Sequence, residues 1–207
     1  MVSGKFLVND DDGRALAARY AADDFALQAG LDRHNALRFT LLVEETLGMV
    51  KNMLDTYYGQ MWFVCADKAC EIHFEAASDM DGDKKYDLLS VSKTGKNEAC
   101  NGFMAGIADM ISRALHSIGR AADIYGQEAL RYGVVYNGLE LPIGMDAVPL
   151  WTLQTLRSNL ADGQSDNIIA EEAWDELEKS IVANIADDVI VGIRGDRIEL
   201  TIVKNFA

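Results

Sequence analysis

The chain is poor in positive charge and has no long apolar run, and each shortage excludes a class of protein. Nineteen lysine and arginine residues stand against 33 aspartate and glutamate residues, giving a formal net charge of −14 at pH 7. That charge repels a polyphosphate backbone, so nucleic acid is excluded as a partner. Nowhere do about 18 uninterrupted apolar residues occur, so the sequence predicts no membrane span. The apolar run at the start of the chain is too short to predict a signal sequence.

Cysteine is also scarce. Three cysteines without regular spacing fit a reducing compartment better than a disulfide framework. We therefore expect a soluble, cytoplasmic protein whose cysteines are small buried apolar residues. With 207 residues and 49% hydrophobic content, the chain is long enough to bury a full core.

Two helices are predicted near the start of the chain. Residues 14–29 are good helix formers, and Gly30 is placed to end this helix in a left-handed turn. Asp32 can cap a second helix that runs to about Tyr57, because apolar residues recur there at steps of three and four. These residues are Phe39, Val43, Leu47, Val50, Leu54 and Tyr57.

A β-hairpin is predicted next. Residues 61–65 and 70–76 flank a four-residue turn, 66–69. The second strand alternates, so one face is expected to be buried and the other wet. The expected buried residues are Cys70, Ile72, Phe74 and Ala76. Because Cys70 and His73 have opposite parity, they point to different faces and do not form a metal site.

A second hairpin is predicted at the end of the chain. Residues 189–193 and 198–203 meet across a turn containing Gly195 and Asp196. The expected buried residues of its second strand are Ile198, Leu200 and Ile202. Between the hairpins, the apolar spacing predicts helices at 103–118, 151–160 and 174–185, the last leading into the final strands. Glycine and proline make residues 133–149 a loop-rich connection.

This order predicts an α+β fold: a two-layer sandwich in which a mixed or antiparallel sheet carries helices on one face. Three segments carry a resemblance to a known family, namely residues 37–53, 71–83 and 180–204. The first resembles a helix containing Glu-Ala-x-x-Asn, the second a strand running into an Asp-x-Gly-x-Gly loop, and the third a closing Leu-Ala-Asp-Glu-Val helix and hairpin. Together they resemble the GHKL ATP-binding fold, and most closely the anti-sigma-factor serine kinases.

The resemblance covers residues 14–82 and 173–204, and it implies one GHKL-like domain over residues 1–207 with an unmatched insertion at about 84–170. ATP with Mg²⁺ requires an oxygen ligand for the metal, approachable backbone N–H groups, an acceptor for adenine and a base for the attacking hydroxyl. By the resemblance, Glu45 is the catalytic base and Asp79 accepts from adenine. Asp81 and Gly82 belong to the same cofactor-binding loop.

The chain departs from the family pattern in two places. Met49 stands four residues after Glu45, where the Mg²⁺-holding amide belongs, and a thioether has little affinity for a hard cation. Asn52 lies on the same helix stripe one turn further on, and we hypothesise that it replaces this amide as the cofactor-binding metal ligand. The loop places carboxylates at Asp81 and Asp83, where glycines are expected, which adds repulsion toward phosphate.

Two functions from different classes remain open. The first is an anti-sigma-type regulatory protein that acts as an ATP-dependent serine/threonine kinase on a protein partner, either a sigma factor or an anti-sigma antagonist. The second is a nucleotide-free protein-binding regulator that keeps the fold. A homodimer is also left open. Glu44 is expected to belong to a solvated polar stripe that includes Gly48 and Lys51. For Glu45 a plain position at the helix surface stays open beside the catalytic role. Residues 79–83 also suit an acidic turn or a weak calcium-like cluster.

Overall fold

The computed structural model describes residues 1–9, 11–54, 57–77, 134–137, 148–162, 180–194 and 197–207. In chain order, its helices and strands are β1 (Phe6–Asn9), α1 (Asp12–Gln28), α2 (Arg33–Met53), β2 (Tyr58–Ala66), β3 (Ala69–Ala77), β4 (Val134–Asn137), β5 (Val148–Thr152), α3 (Leu153–Ala161), α4 (Ile181–Ile185), β6 (Asp188–Arg194) and β7 (Arg197–Asn205). Among these helices, none combines the length and apolar content that crossing a membrane requires.

The seven strands form one sheet in the spatial order β1-β2-β3-β7-β6-β5-β4, and every neighbouring pair is antiparallel. Both predicted hairpins are present and lie side by side, because β3 pairs with β7 along its whole length. The prediction of an α+β fold with an antiparallel sheet and a helical layer is confirmed at that level.

The core lies between the helices and one face of the sheet, which we call the inner face. A row of buried cross-strand partners crosses five strands: Met61, Phe74, Leu200, Val191 and Trp151. The predicted buried residues of β3 and β7 all lie on this face. The outer-face residues of β3, Glu71, His73 and Glu75, stay partly exposed, as the alternation predicts.

Local chemistry sets the starts and turns of these elements. The Asp32 carboxylate accepts a hydrogen bond from the Asn35 amide at 2.9 Å and so caps α2, as predicted. Gly30 has φ +82°, which confirms the left-handed turn after α1. The first hairpin turns on only two residues, Asp67 and Lys68, both with positive φ, instead of the four predicted.

The predicted end of the second helix is wrong by four residues. Helix α2 ends at Met53, and Leu54 is already extended at φ −128°. Tyr57 is buried, but its ring packs edge-on against Phe74 of β3 at 5.6 Å between ring centroids. The spacing of Tyr57 from the other apolar residues matched a helix, but Tyr57 is buried by contact with the sheet and does not belong to α2.

Two further predictions are corrected at the β4–β5 end of the sheet, and one strand was missed. Residues 134–137 form β4 inside the segment predicted to be loop-rich. Trp151 belongs to β5 instead of starting a helix, because its side chain completes the buried inner row, and α3 starts only at Leu153 after a Thr152 cap. Strand β1 was not predicted at all. The predicted helix at 103–118 and the first part of that at 174–185 lie outside the described residues.

The expectation of unpaired thiols is wrong for two of the cysteines. Cys65 and Cys70 form a disulfide across the first hairpin, and both are buried on the inner face. They are direct cross-strand partners, a relation that brings side chains close together. The predicted hairpin already placed Cys65 opposite Cys70. Their pairing could therefore have been predicted from the strand register, although the number of cysteines did not indicate it.

Candidate functional site

Glu45 and Glu44 are neighbours on α2 with different surroundings. Glu44 is exposed, and its carboxylate pairs with Arg19 Nε of α1 at 3.3 Å. Glu45 is partly buried at the border between the buried and exposed sides of the helix. The expectation that Glu44 belongs to a solvated stripe fits this position, and the two carboxylates therefore have separate environments.

The pKa of Glu45 is raised above its usual value. Burial, which disfavours the charged form, is the main cause, and the neighbouring negative charge of Glu44 adds to it. A carboxyl group held in this way binds a proton more readily than an exposed one. It can therefore accept a proton from a hydroxyl more effectively, which is the task of a general base.

Met49 and Asn52, the two residues considered for the position of the Mg²⁺ ligand, have different surroundings on α2. Met49 is fully buried in the core cluster, so it neither offers a hard ligand nor reaches solvent. Asn52 lies in the last turn of α2, which ends at Met53. Seven residues separate it from Glu45, a distance of about 10 Å along the helix axis and nearly two whole turns, so both lie on one side of α2. The metal-ligand role of Asn52 stays a prediction.

The loop residues Asp79, Asp81 and Gly82 lie outside the described residues. The described chain reaches Ala77, the last residue of β3, whose partners are Tyr58 on β2 and Arg197 on β7. The described part of β3 therefore ends between two neighbouring strands. Within the described part of the chain, no cluster of three or more histidine, cysteine or acidic residues is arranged to hold a metal ion.

A surface cleft of about 420 Å³ lies between α1 and α2. Its lining includes Arg19, Glu44, Gly48 and Lys51, and it is completed by Asn9, Ala15, Leu16, Leu47 and Tyr57. Glu45 does not line it. The sequence showed the polar stripe through Glu44, Gly48 and Lys51, but its spacing alone did not reveal that α1 packs beside it.

A polar cluster on the outer face of the sheet was also missed. His73 Nε2 lies 2.8 Å from Glu71 Oε2, and His73 Nδ1 lies 3.2 Å from Thr201 Oγ1. With a neutral imidazole, Nε2–H donates to the carboxylate and the threonine hydroxyl donates to Nδ1. The imidazole stacks on Trp62 at 5.0 Å between ring centroids, and Lys5 Nζ lies 4.0 Å from the Trp62 ring centroid. This arrangement can hold a histidine ring in one orientation.

The charges at the carboxyl end of the chain stabilise the fold. Asp187 is exposed; its limited desolvation opposes ionisation, but hydrogen bonds from Lys204 Nζ and the Asn205 amide lower its pKa below the usual value. These bonds hold the segment before β6 against the end of β7. Asp187 is therefore a structural carboxylate and not a candidate base.

No protein-family model, no curated protein and no solved structure matches this chain. The assignment of function therefore depends on the residues themselves and on the arrangement described above.

Proposed function

We propose that the protein is an anti-sigma-type regulator with a GHKL-like fold that transfers phosphate from Mg-ATP to a serine or threonine hydroxyl of a protein partner in the cytoplasm. The observation that carries the proposal is Glu45, a partly buried carboxylate with a raised pKa on the helix that covers the antiparallel sheet. The partner is a sigma factor or an antagonist of the anti-sigma factor.

The residues have separate roles in this proposal. Glu45 would accept the proton of the partner's hydroxyl group as its oxygen bonds to the terminal phosphorus, while the bond from that phosphorus to the bridging oxygen breaks and ADP leaves. Asn52 would supply the amide oxygen for Mg²⁺, and the metal would neutralise charge on the phosphates. By the resemblance, Asp79 would accept a hydrogen bond from the adenine amino group, and Asp81 and Gly82 would belong to the same cofactor-binding loop.

Calorimetry with Mg-ATP tests nucleotide binding. We expect micromolar affinity for the wild type and at least tenfold weaker binding for Asn52→Ala, because the cation loses its protein ligand. Glu45→Gln keeps the shape of the side chain but not its basicity, so phosphotransfer to a partner is lost. Glu44→Gln is the matched control, because the adjacent carboxylate faces Arg19 and is only the smaller cause of the raised Glu45 pKa. It should leave nucleotide binding unchanged and should reduce phosphotransfer far less than Glu45→Gln does.

A second candidate function is a protein-binding regulator that keeps the fold without a nucleotide. The burial of Met49 favours it, because the family's metal-holding position is here part of the core. An absence of heat at millimolar Mg-ATP, with the partner still bound, would select this function and reject the kinase.

A further inference from the structure

Helix α1 is apolar on two opposite sides. Its inner side packs into the core through Ala18, Ala22, Phe25 and Ala26, all of which are buried. Its outer side presents three large apolar side chains, Leu16, Tyr20 and Leu27, which we call the α1 stripe. A helix that meets the core on one side only is expected to be polar on the other, so the α1 stripe needs a separate explanation.

The α1 stripe is exposed along most of the helix. Leu16, Tyr20 and Leu27 have 47%, 70% and 44% of their surface exposed. At about 100° per residue they lie within about 40° of one another around the axis, and they span roughly 16 Å along it. Eight large apolar residues of the described chain are at least 41% exposed, and four of them lie on α1 or α2, the fourth being Leu37. Grouped exposed apolar residues mark interaction sites more often than scattered ones do.

The charges beside the α1 stripe are acidic near its centre. Around the helix axis, Asp23 lies about 60° to one side of Tyr20, and Asp24 lies about 40° to the other side. Arg19, the nearest cation in sequence, is engaged by Glu44 at 3.3 Å. The chain as a whole carries a net charge of −14. A partner with positive charge on both sides of an apolar ridge therefore complements this surface.

The same charges disfavour a second copy of the chain as the occupant. In a two-fold symmetric pair, each residue near the axis faces its own counterpart. A pair centred on the α1 stripe brings Asp23 and Asp24 of one copy close to Asp23 and Asp24 of the other. Like charges at this distance repel, and the net charge of both copies adds to the repulsion.

We propose that the α1 stripe is a docking surface for an amphipathic helix with basic flanks, carried by the protein partner. An amphipathic helix fits such a ridge with apolar residues at steps of three and four, and its lysine or arginine residues meet Asp23 and Asp24. The proposal rests on the regulatory function above only for the existence of a protein partner. It requires neither ATP binding nor phosphotransfer.

The test uses the full chain and a labelled synthetic peptide of about 18 residues, long enough for five helical turns, with leucine at steps of three and four and lysine elsewhere. Fluorescence anisotropy measures its affinity, and a peptide with glutamate in place of lysine is the charge control. We expect micromolar binding of the lysine peptide and none of the glutamate peptide. Tyr20→Glu and Leu27→Glu should each weaken binding at least tenfold, and Asp23→Asn with Asp24→Asn should reduce its salt dependence.

Tyr58→Glu is the matched control variant, because Tyr58 is 59% exposed but lies on β2, away from the α1 stripe. It adds the same negative charge as Tyr20→Glu, so a loss confined to the α1 variants cannot come from overall charge. Equal affinity of Tyr20→Glu and Tyr58→Glu for the peptide overturns the proposal, as does no binding at millimolar peptide. A dimer that Tyr20→Glu separates, seen by sedimentation, also overturns it and makes a second copy the occupant. Mg-ATP calorimetry on the same variants is read separately, so failure of the kinase proposal leaves this result unaffected.

Discussion

The two faces of the sheet use the same strands for different purposes. On the inner face, Phe63 of β2 has the rings of Phe6, Phe25 and Phe39 within 5.4 Å of its own centroid. On the outer face, the adjacent Trp62 stacks on His73, which contacts one carboxylate and one hydroxyl. Side chains on the inner face are therefore expected to determine stability, whereas those on the outer face hold polar groups that are free to change with little effect on the fold.

The comparison is tested most strongly at positions 62 and 63. Phe63 is fully buried and links α1, α2, β1 and β2, so Phe63→Ala should lower the free energy of unfolding by about 3–5 kcal/mol. Trp62→Ala removes a larger side chain from the outer face, where stacking and the Lys5 contact contribute only about 1 kcal/mol. Urea denaturation of both variants gives the two values.

The two variants act as controls for each other, because they differ by one residue on one strand. If Trp62→Ala costs as much as Phe63→Ala, then the outer face is packed against something and the two-layer description is incomplete. Equal slopes of the unfolding curves are needed for the comparison, since a changed slope indicates a changed denatured state.

Removing the disulfide on the inner face should lower the stability by an amount between the effects of Phe63→Ala and Trp62→Ala. Cys65 and Cys70 close a loop of only a few residues, so chain entropy predicts a stabilisation of about 2 kcal/mol. The double variant Cys65→Ala/Cys70→Ala should lose about that much, and reductant should destabilise the wild type but not the variant. Thiol titration of the denatured, unreduced chain should find one reactive cysteine, Cys100, and three after reduction. Three thiols before reduction would contradict the pairing and support the reducing compartment that the cysteine spacing predicts.

The sequence patterns gave correct predictions for helices and strands whose apolar residues lie on one side. The alternation in β3 and β7 gave the correct buried residues, and the cap at Asp32 gave the start of α2. Predictions failed where a residue is buried by a remote element. Tyr57 is covered by β3, and Trp151 is covered as part of a cross-strand row, and neither relation has a local signature.

The candidate sites show the same limit. Glu45 could be proposed from the sequence because its helix position and its neighbours are local in sequence. The contact between His73 and Thr201 joins residues 128 positions apart, and only the pairing of β3 with β7 brings them together. The cleft likewise depends on α1 lying beside Gly48. Residue type and spacing therefore identify chemistry within one element, whereas sites shared between elements need the topology.

The smallest expected change in stability comes from α2, where the partly buried Glu45 can be compared with the exposed Glu44. Because the pKa of Glu45 is raised on folding, the folded state binds its proton more tightly than the unfolded state does. This contribution to stability is fully present below the unfolded pKa, about 4.3, and is lost as pH rises through the folded value. Glu45→Gln should therefore raise stability relative to wild type above that range, by at most about 1 kcal/mol, and should have less effect near pH 4.

Glu44→Gln isolates the cause of this difference. It relieves the repulsion on Glu45 as Glu45→Gln does, but it also removes the exposed pair with Arg19 and leaves the partly buried carboxylate in place. Near neutral pH it should therefore stabilise the protein less than Glu45→Gln does, with a change of less than about 1 kcal/mol. Thermal melts of both variants and the wild type, below and well above the usual glutamate pKa, measure these differences. If Glu45→Gln destabilises the protein near neutral pH, the ionised carboxylate has a favourable partner in the folded state. In that case its proton affinity is not raised by burial, and the argument for Glu45 as a general base no longer holds.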